Sequence, residues 1–226
     1  MTACAAMAAT AAAPVIAVDG PAAAGKGTLA RRLAAHLGLP YLDTGLLYRA
    51  VGRRVLDAGA DLRDPAVAEA TARALSPADL DRPDLRSAEA AAAASAVAAQ
   101  AGVRAALLDW QRDFGRAHGA VLDGRDIGTV VFPDAQVKLF ITASAEERAR
   151  RRFLELTAGG AVAEPAQVLA ELRARDAQDA ARAVAPMKPA EDAVLIDTTS
   201  LDADAAFARA VEVVQEKIGP RGRDLV

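Results

Sequence analysis

The sequence predicts an α/β fold, a parallel sheet of about five strands with helices on both faces. Three observations carry that prediction. Short apolar runs alternate along the chain with longer amphipathic stretches, the order of strands joined by crossover helices. The first apolar run leads into a glycine-bounded loop, a lysine and then a helix. The 226 residues suffice for one well-buried α/β domain with smaller appendages, and no internal repeat breaks the alternation.

Val15-Ile16-Ala17-Val18 reads as a buried strand. Leu29, Leu33 and Leu37, with Ala30 and Ala34 between them, read as a helix that Gly38 and Pro40 stop. Tyr41-Leu42 is a short strand, and Thr44 stands where it can cap a helix carrying Leu47, Val51 and Val55. Residues 59–87 are mixed, interrupted by Pro65, Pro77 and Pro83. Residues 88–117 read as helical, first almost pure alanine, then with Val103, Leu107, Leu108 and Trp110. Ala120-Val121-Leu122 is a strand ending at Asp123-Gly124, and Gln136 to Ile141 is another. Ser144 and Glu147 form a capping box that opens a helix through Leu156, broken at Gly159-Gly160. A helix follows from about Pro165 to Val184, then the strand Val194-Leu195-Ile196 and a closing helix over 203–218. The segments 44–117 and 145–186 exceed simple crossovers. Insertions at strand carboxyl ends are where substrate-covering segments belong in this architecture.

Hydrophobic residues make up 53% and aromatic ones only 4%, so the core is built from Ala, Leu and Val; the alanine excess carries no functional reading. The net charge of −3 gives no overall field for nucleic acid or an anionic membrane. Any anion site must come from local arginine placement. The single cysteine, Cys4, gives no disulfide framework and fits a reducing cytoplasm. The alanine-rich residues 1–14 lack a basic leader region and do not read as a signal peptide; residues 1–13 are expected to be a flexible tail. No run is long and apolar enough to span a membrane. His36 and His118 have no ligand-spaced partners, which argues against zinc. Without a sustained apolar heptad a monomer is expected.

The first loop, Gly20-Pro21-Ala22-Ala23-Ala24-Gly25-Lys26-Gly27-Thr28, has the phosphate-binding P-loop arrangement. Loop and helix N–H groups converge on one spot, the helix dipole favours negative charge there, and Lys26 adds a mobile cation. A nucleoside triphosphate is the expected ligand. Gly27 occupies the usual magnesium-holding hydroxyl position, and the hydroxyl comes one residue later at Thr28.

Four further groups point to a second anion. Thr44, Tyr48 and Arg49 share one helix start and can close around a phosphate; an ordinary cap with a surface arginine would look the same. Asp123, Arg125 and Asp126 follow a strand, with Asp123 placed to orient hydrated magnesium, although Asp-Gly also suits a plain turn. Arg175, Asp179 and Arg182 share one helical face, a pattern that taken alone fits a solvated face of ion pairs better. Arg148, Arg150, Arg151 and Arg152 stand at a lid-like position, either clamping a triphosphate or lying in solvent.

From about Pro14 to Ile218 the chain resembles the bacterial cytidylate kinases, a nucleoside monophosphate kinase family. The matching blocks are Val18-Asp19-Gly20-Pro21 with Gly25-Lys26-Gly27-Thr28, Leu42-Asp43-Thr44-Gly45 with Tyr48-Arg49, the run from Asp123 to Ala135, and Arg175-Asp176 with Asp179 and Arg182 to Pro186. The resemblance implies a three-layer P-loop kinase fold over 14–226. It also implies an acceptor-nucleotide segment at about 44–117 and a lid at about 153–182. It implies transfer of the ATP γ-phosphate to CMP or dCMP with magnesium. By resemblance Thr44, Tyr48, Arg49 and Arg125 surround the acceptor and its phosphate, and Ser95, Arg104 and Asp126 read the cytosine edge. Arg175 and Asp179 address the sugar, and Arg182 the phosphate. Arg148 and Arg152 are the expected lid clamp, with Lys26, Arg125, Arg152 and Arg182 acting on the transferring phosphate. The chain departs from the family at Ala22-Ala23, where Ser-Gly is usual, and at Gln178, where arginine is common. Residues 59–87 are too short for the small antiparallel sheet of many members. Two rival readings stand beside this one: a P-loop kinase for UMP, AMP or shikimate, and a nucleotide-dependent switch with no acceptor.

Overall fold

The computed structural model describes residues 13–219. Cys4 and the expected tail lie outside the described residues, apart from Ala13. Five strands, β1 (Val15–Asp19), β2 (Tyr41–Asp43), β3 (Ala120–Gly124), β4 (Val137–Thr142) and β5 (Val194–Asp197), form one parallel sheet in the order β2-β3-β1-β4-β5. Among the described residues eight α-helices accompany them: α1 (Lys26–Leu37), α2 (Thr44–Asp57), α3 (Pro65–Arg73), α4 (Ala88–Ala98), α5 (Ala101–His118), α6 (Ala145–Ala158), α7 (Pro165–Ala180) and α8 (Ala203–Ile218).

Central β1 is buried along its whole length, which is why its sequence is a continuous apolar run rather than an alternating one. Against one face α1 and α8 pack Leu29, Leu33, Leu37, Val213 and Val214 onto Ile16, Val18, Leu139 and Ile141. On the other, Leu108, Trp110 and Phe114 of α5 meet Ala17, Leu42 and Leu122, together with Phe132. This is the three-layer arrangement the alternating pattern predicts. Register then places the chemistry. Val18 and Asp43 both pair with Asp123, and Asp19 pairs with Gly124. The loops leaving β1, β2 and β3 therefore emerge side by side at the carboxyl edge, the ligand edge of an open parallel sheet.

The alanines of α4 are a packing device. A Cβ on Gly52 would lie 2.7 Å from the Ala93 Cβ, so α2 and α4 cross almost backbone to backbone. Residues 59–87 form α3 and two 3₁₀ turns, Pro77–Leu80 and Pro83–Arg86, with no strand among the described residues of that stretch.

Four local expectations are corrected, and one element is new. The helical stretch over 88–117 is two helices bent by 102° at an extended Gln100. Thr44 is not the cap of α2. Asp43 holds that position, and the Thr44 hydroxyl donates to the Asp123 carbonyl at 2.7 Å. The capping box of α6 is half made. Ser144 Oγ accepts from Glu147 N–H, but Glu147's carboxylate turns to Arg150 and Arg151. α7 ends at Ala180, where the chain folds back and Met187 N–H reaches the Asp179 carbonyl. A π-helical turn, Ile127–Val131, follows Asp126 and has no periodic signal in the sequence.

Candidate active site

The loop after β1 is shaped by two backbone demands. Gly20 has φ +146°, and a Cβ there would fall 2.0 Å from the Ile141 carbonyl oxygen. We predict that Gly20→Ala destabilises the protein by about 3 kcal/mol or more; urea unfolding measures it. Gly25 at φ 86° turns the chain into α1. Ala23 also takes positive φ, 59°, at a cost of roughly 1 kcal/mol. Its methyl and that of Ala22 pack against the apolar cluster that joins α6 and α7. The usual glycine lacks that contact. The start of α1 has no side-chain cap and no acidic residue in its first turn, so its N–H donors face an anion site. Loop carbonyls are held from outside: Thr198 Oγ1 reaches Ala24 O at 3.1 Å, and Arg148 Nη1 reaches Ala22 O at 3.3 Å.

Beside Lys26 opens a cavity of about 180 Å³, lined by every acceptor-side residue expected from the sequence. From α2 come Thr44, Tyr48 and Arg49; from α4, Ser95; from α5, Arg104. Arg125 and Asp126 follow β3, and Arg175, Asp179 and Arg182 come from α7 and its end. The bend between α4 and α5 is what points Ser95 and Arg104 at one space. Six cationic side chains face four carboxylates here, although the whole chain is acidic. Buried Asp179 accepts from Arg125 Nε at 3.0 Å and pairs through its other oxygen with Arg182. Arg104 and Asp126 form a buried ion pair, with the Arg104 guanidinium 5.5 Å over the Tyr48 ring. Four buried side-chain polar atoms lack a partner among the described residues, and two of them are Arg175 Nε and Arg182 Nε. Burial pushes Arg175 down to about 10, with Arg125 adding to the effect. Unpartnered buried donors are costly, and both of these belong to side chains that line the cavity.

Asp123 is buried at the junction between loop and cavity. Its Oδ2 accepts from Tyr41 Oη at 2.8 Å and lies 3.0 Å from where a Gly27 Cβ would stand. Burial raises its carboxyl while Lys26 opposes the shift. Lys26 itself is pushed down to about 8, first by burial and then by Arg125.

The four arginines of α6 separate. Arg148 is not a free clamp. It is buried, with Nε on Ala143 O, Nη1 on Ala22 O and Nη2 on Asp176, and so holds the loop from behind. Arg150 is exposed on Glu147. Arg151 and Arg152 line the cleft over the P-loop with Ala22, Ala23 and Thr28. Arg151 also binds the Thr198 hydroxyl at 3.0 Å and borders a second cavity, about 280 Å³, behind Gly25 and Thr28. Sequence reasoning missed Asp19, Tyr41 and Thr198. Their only signal is position at the start or carboxyl end of a strand.

A P-loop opening onto a second, cation-lined cavity defines a phosphotransferase of the P-loop kinase class. The cytidylate kinase family model matches residues 16–216. A cytidylate kinase of Granulibacter bethesdensis is 64% identical over 203 residues, spanning 90% of this chain and 97% of that protein. One of Acidiphilium cryptum is 62% identical over 208 residues, spanning 92% and 98%. The crystal structure of an uncharacterized protein from Eubacterium ventriosum shares the fold alone, with TM-score 0.52 and 13% identity over 89% of this chain and 98% of that one. The chain belongs to the cytidylate kinase family and is an enzyme that transfers phosphate to CMP or dCMP.

Proposed function

We propose that ATP is the donor and that its γ-phosphate passes in line to the phosphate of CMP or dCMP held in the cavity beside Lys26. The carrying observation is the pair of unpartnered buried donors, Arg175 Nε and Arg182 Nε, in a cavity that shares Lys26 with the P-loop cleft. The loop and first-turn amides with Lys26 hold the donor phosphates. The donor nucleoside lies in the cavity behind Thr28, and Arg151 and Arg152 close over the phosphates. Arg49, Arg125 and Arg182 hold the acceptor phosphate, whose oxygen is already anionic, so no strong general base is needed. Ser95, Arg104 and Asp126 read the cytosine edge, and Arg175 and Asp179 the sugar. The Arg104–Asp126 pair presents donors and an acceptor fixed against each other, which suits a base edge offering both.

Magnesium fits the donor set. Asp123 and Asp43 line the cavity with Lys26 and would offer carboxylate oxygens to the ion, directly or through water, and no group of three or more ligating side chains forms a cage among the described residues. One or two carboxylates with substrate phosphates and water is the usual way to hold this ion, which neutralises phosphate charge when bound. Residues 44–117 form the acceptor segment and 153–182 the lid, within one P-loop kinase domain. The enzyme acts as a monomer, a reading supported by the lack of a sustained apolar heptad in the sequence. Its place is the cytoplasm, where its nucleotide substrates occur, with neither nucleic acid nor membrane as a partner.

Initial rates with ATP and a panel of CMP, dCMP, UMP, AMP and shikimate test this reading. CMP or dCMP is expected to lead in kcat/KM. A lead for another acceptor, or hydrolysis without acceptor stimulation, would contradict it. A pH dependence follows from Lys26. With a free-enzyme pKa of about 8 and a higher one against triphosphate, ATP binds with full strength below pH 8. Above it, affinity falls by up to about tenfold per pH unit as binding must take up a proton. Calorimetric titration in buffers of different ionisation enthalpy reads that proton directly.

A further inference from the structure

We infer that Asp19 is a positioning residue that fixes the acceptor-side turn at Arg125 and Asp126 to the donor loop, so that both phosphate sites move as one body. The inference rests on the acceptor roles proposed for Arg125 and Asp126.

Asp19 is the last residue of β1 and only 4% exposed. One of its oxygens accepts from Ile127 N–H at 2.8 Å and the other from Gly128 N–H at 2.8 Å. Those amides open the π-helical turn directly after Arg125 and Asp126. Its main chain is equally fixed: Asp19 pairs with Gly124 on one side and Phe140 on the other, and Gly20 rests against the Ile141 carbonyl. The carboxylate is thus attached rigidly to the loop that takes the donor, and it holds the turn that aims two acceptor groups. Backbone pairing of β1 with β3 stops at Gly124. Beyond that point the Asp19 carboxylate supplies the side-chain hydrogen bonds from the end of β1 to the turn, alongside the packing of Ile127 near Ala17. Burial raises its carboxyl to about 7 while the two amides favour the ionised form; Asp126 raises it and Arg125 lowers it more weakly. A carboxylate kept at such a site answers to geometry, since both lone-pair faces are matched by an N–H donor.

Asp19→Asn tests this. The amide has the same shape, but only one of its ends can accept, so its NH₂ opposes one backbone N–H. The acceptor turn should lose its aim while the P-loop keeps its glycines and Lys26. The expected result is a rise of about tenfold or more in the KM for CMP with a fall in kcat, and an ATP dissociation constant within about threefold of wild type. Equal loss on the ATP and CMP sides, or unchanged kinetics with only a lower melting temperature, would overturn the inference. Arg125→Ala is the control for the underlying reading. If it leaves the KM for CMP unchanged, the acceptor assignment fails rather than the role of Asp19. Should Asp19→Asn not fold, hydrogen exchange of the native chain decides. Ile127 and Gly128 amides protected as strongly as those of β1 support the link, and exchange at exposed-loop rates refutes it.

Discussion

Replacing Lys26 with alanine is expected to lower turnover by about a thousandfold or more while the fold survives. The lysine is the first residue of α1, but the apolar face of that helix is made by Leu29, Leu33 and Leu37. Its ammonium instead faces the space shared by the P-loop cleft and the acceptor cavity. Lys26 is the one lysine lining either space among the described residues; the other cations there are arginines carried on other elements or farther along α1. Burial, and after it Arg125, push its pKa down to about 8, and a bound triphosphate would favour the charged form. Turnover with ATP and CMP, read beside circular dichroism, checks both halves. A variant that has melted at assay temperature would make Lys26 a structural residue and remove it from the chemistry.

Replacing Arg182 with alanine is expected to lower kcat by about 10²–10³-fold and leave the ATP dissociation constant within a few-fold. Arg182 stands on the acceptor side, absent from the cleft over the P-loop. One of its terminal nitrogens binds Asp179 while Nε is buried without a partner. Arg125 shares Asp179 with it, and both guanidiniums line the cavity proposed for the acceptor phosphate. Removing Arg182 leaves Asp179 paired with Arg125 alone and draws that guanidinium toward the carboxylate. Single-turnover rates and ATP titration on the same preparation separate the two effects. Equal losses in ATP affinity and in turnover would sink the acceptor assignment.

The sheet and its helices were legible because their signals are local. The run Val15–Val18, the four-residue spacing of Leu29, Leu33 and Leu37, and the stops at Gly38 and Pro40 each state their own element. The break inside 88–117 was not legible, because alanine suits a helix wherever it stands and the bend at Gln100 is set by tertiary contacts. Gln100 Nε2 reaches the Leu62 carbonyl at 2.6 Å, a contact with no local trace. The same limit hid the division of labour among the α6 arginines. Their spacing is nearly uniform in sequence. Only the packing of α6 behind the loop turns Arg148 inward onto Ala22 and leaves Arg151 and Arg152 over the cleft. Pattern marked Thr44, Tyr48, Arg49, Arg125, Asp126, Arg175, Asp179 and Arg182 as anion-binding candidates, whereas Ser95 and Arg104 came from resemblance alone. Their meeting in one cavity is what turns separate motifs into a site, and Asp19 and Tyr41 join them through hydrogen bonds to residues 108 and 82 positions away.

The central claim is that the P-loop and the arginine-lined cavity hold two phosphates face to face. The most direct measurement is calorimetric binding of a bisubstrate compound, adenosine and cytidine joined through a polyphosphate bridge, to the wild-type enzyme. A dissociation constant at least about a hundredfold below that of ATP is expected, because both sites are engaged by one molecule. An affinity equal to that of ATP alone would contradict it.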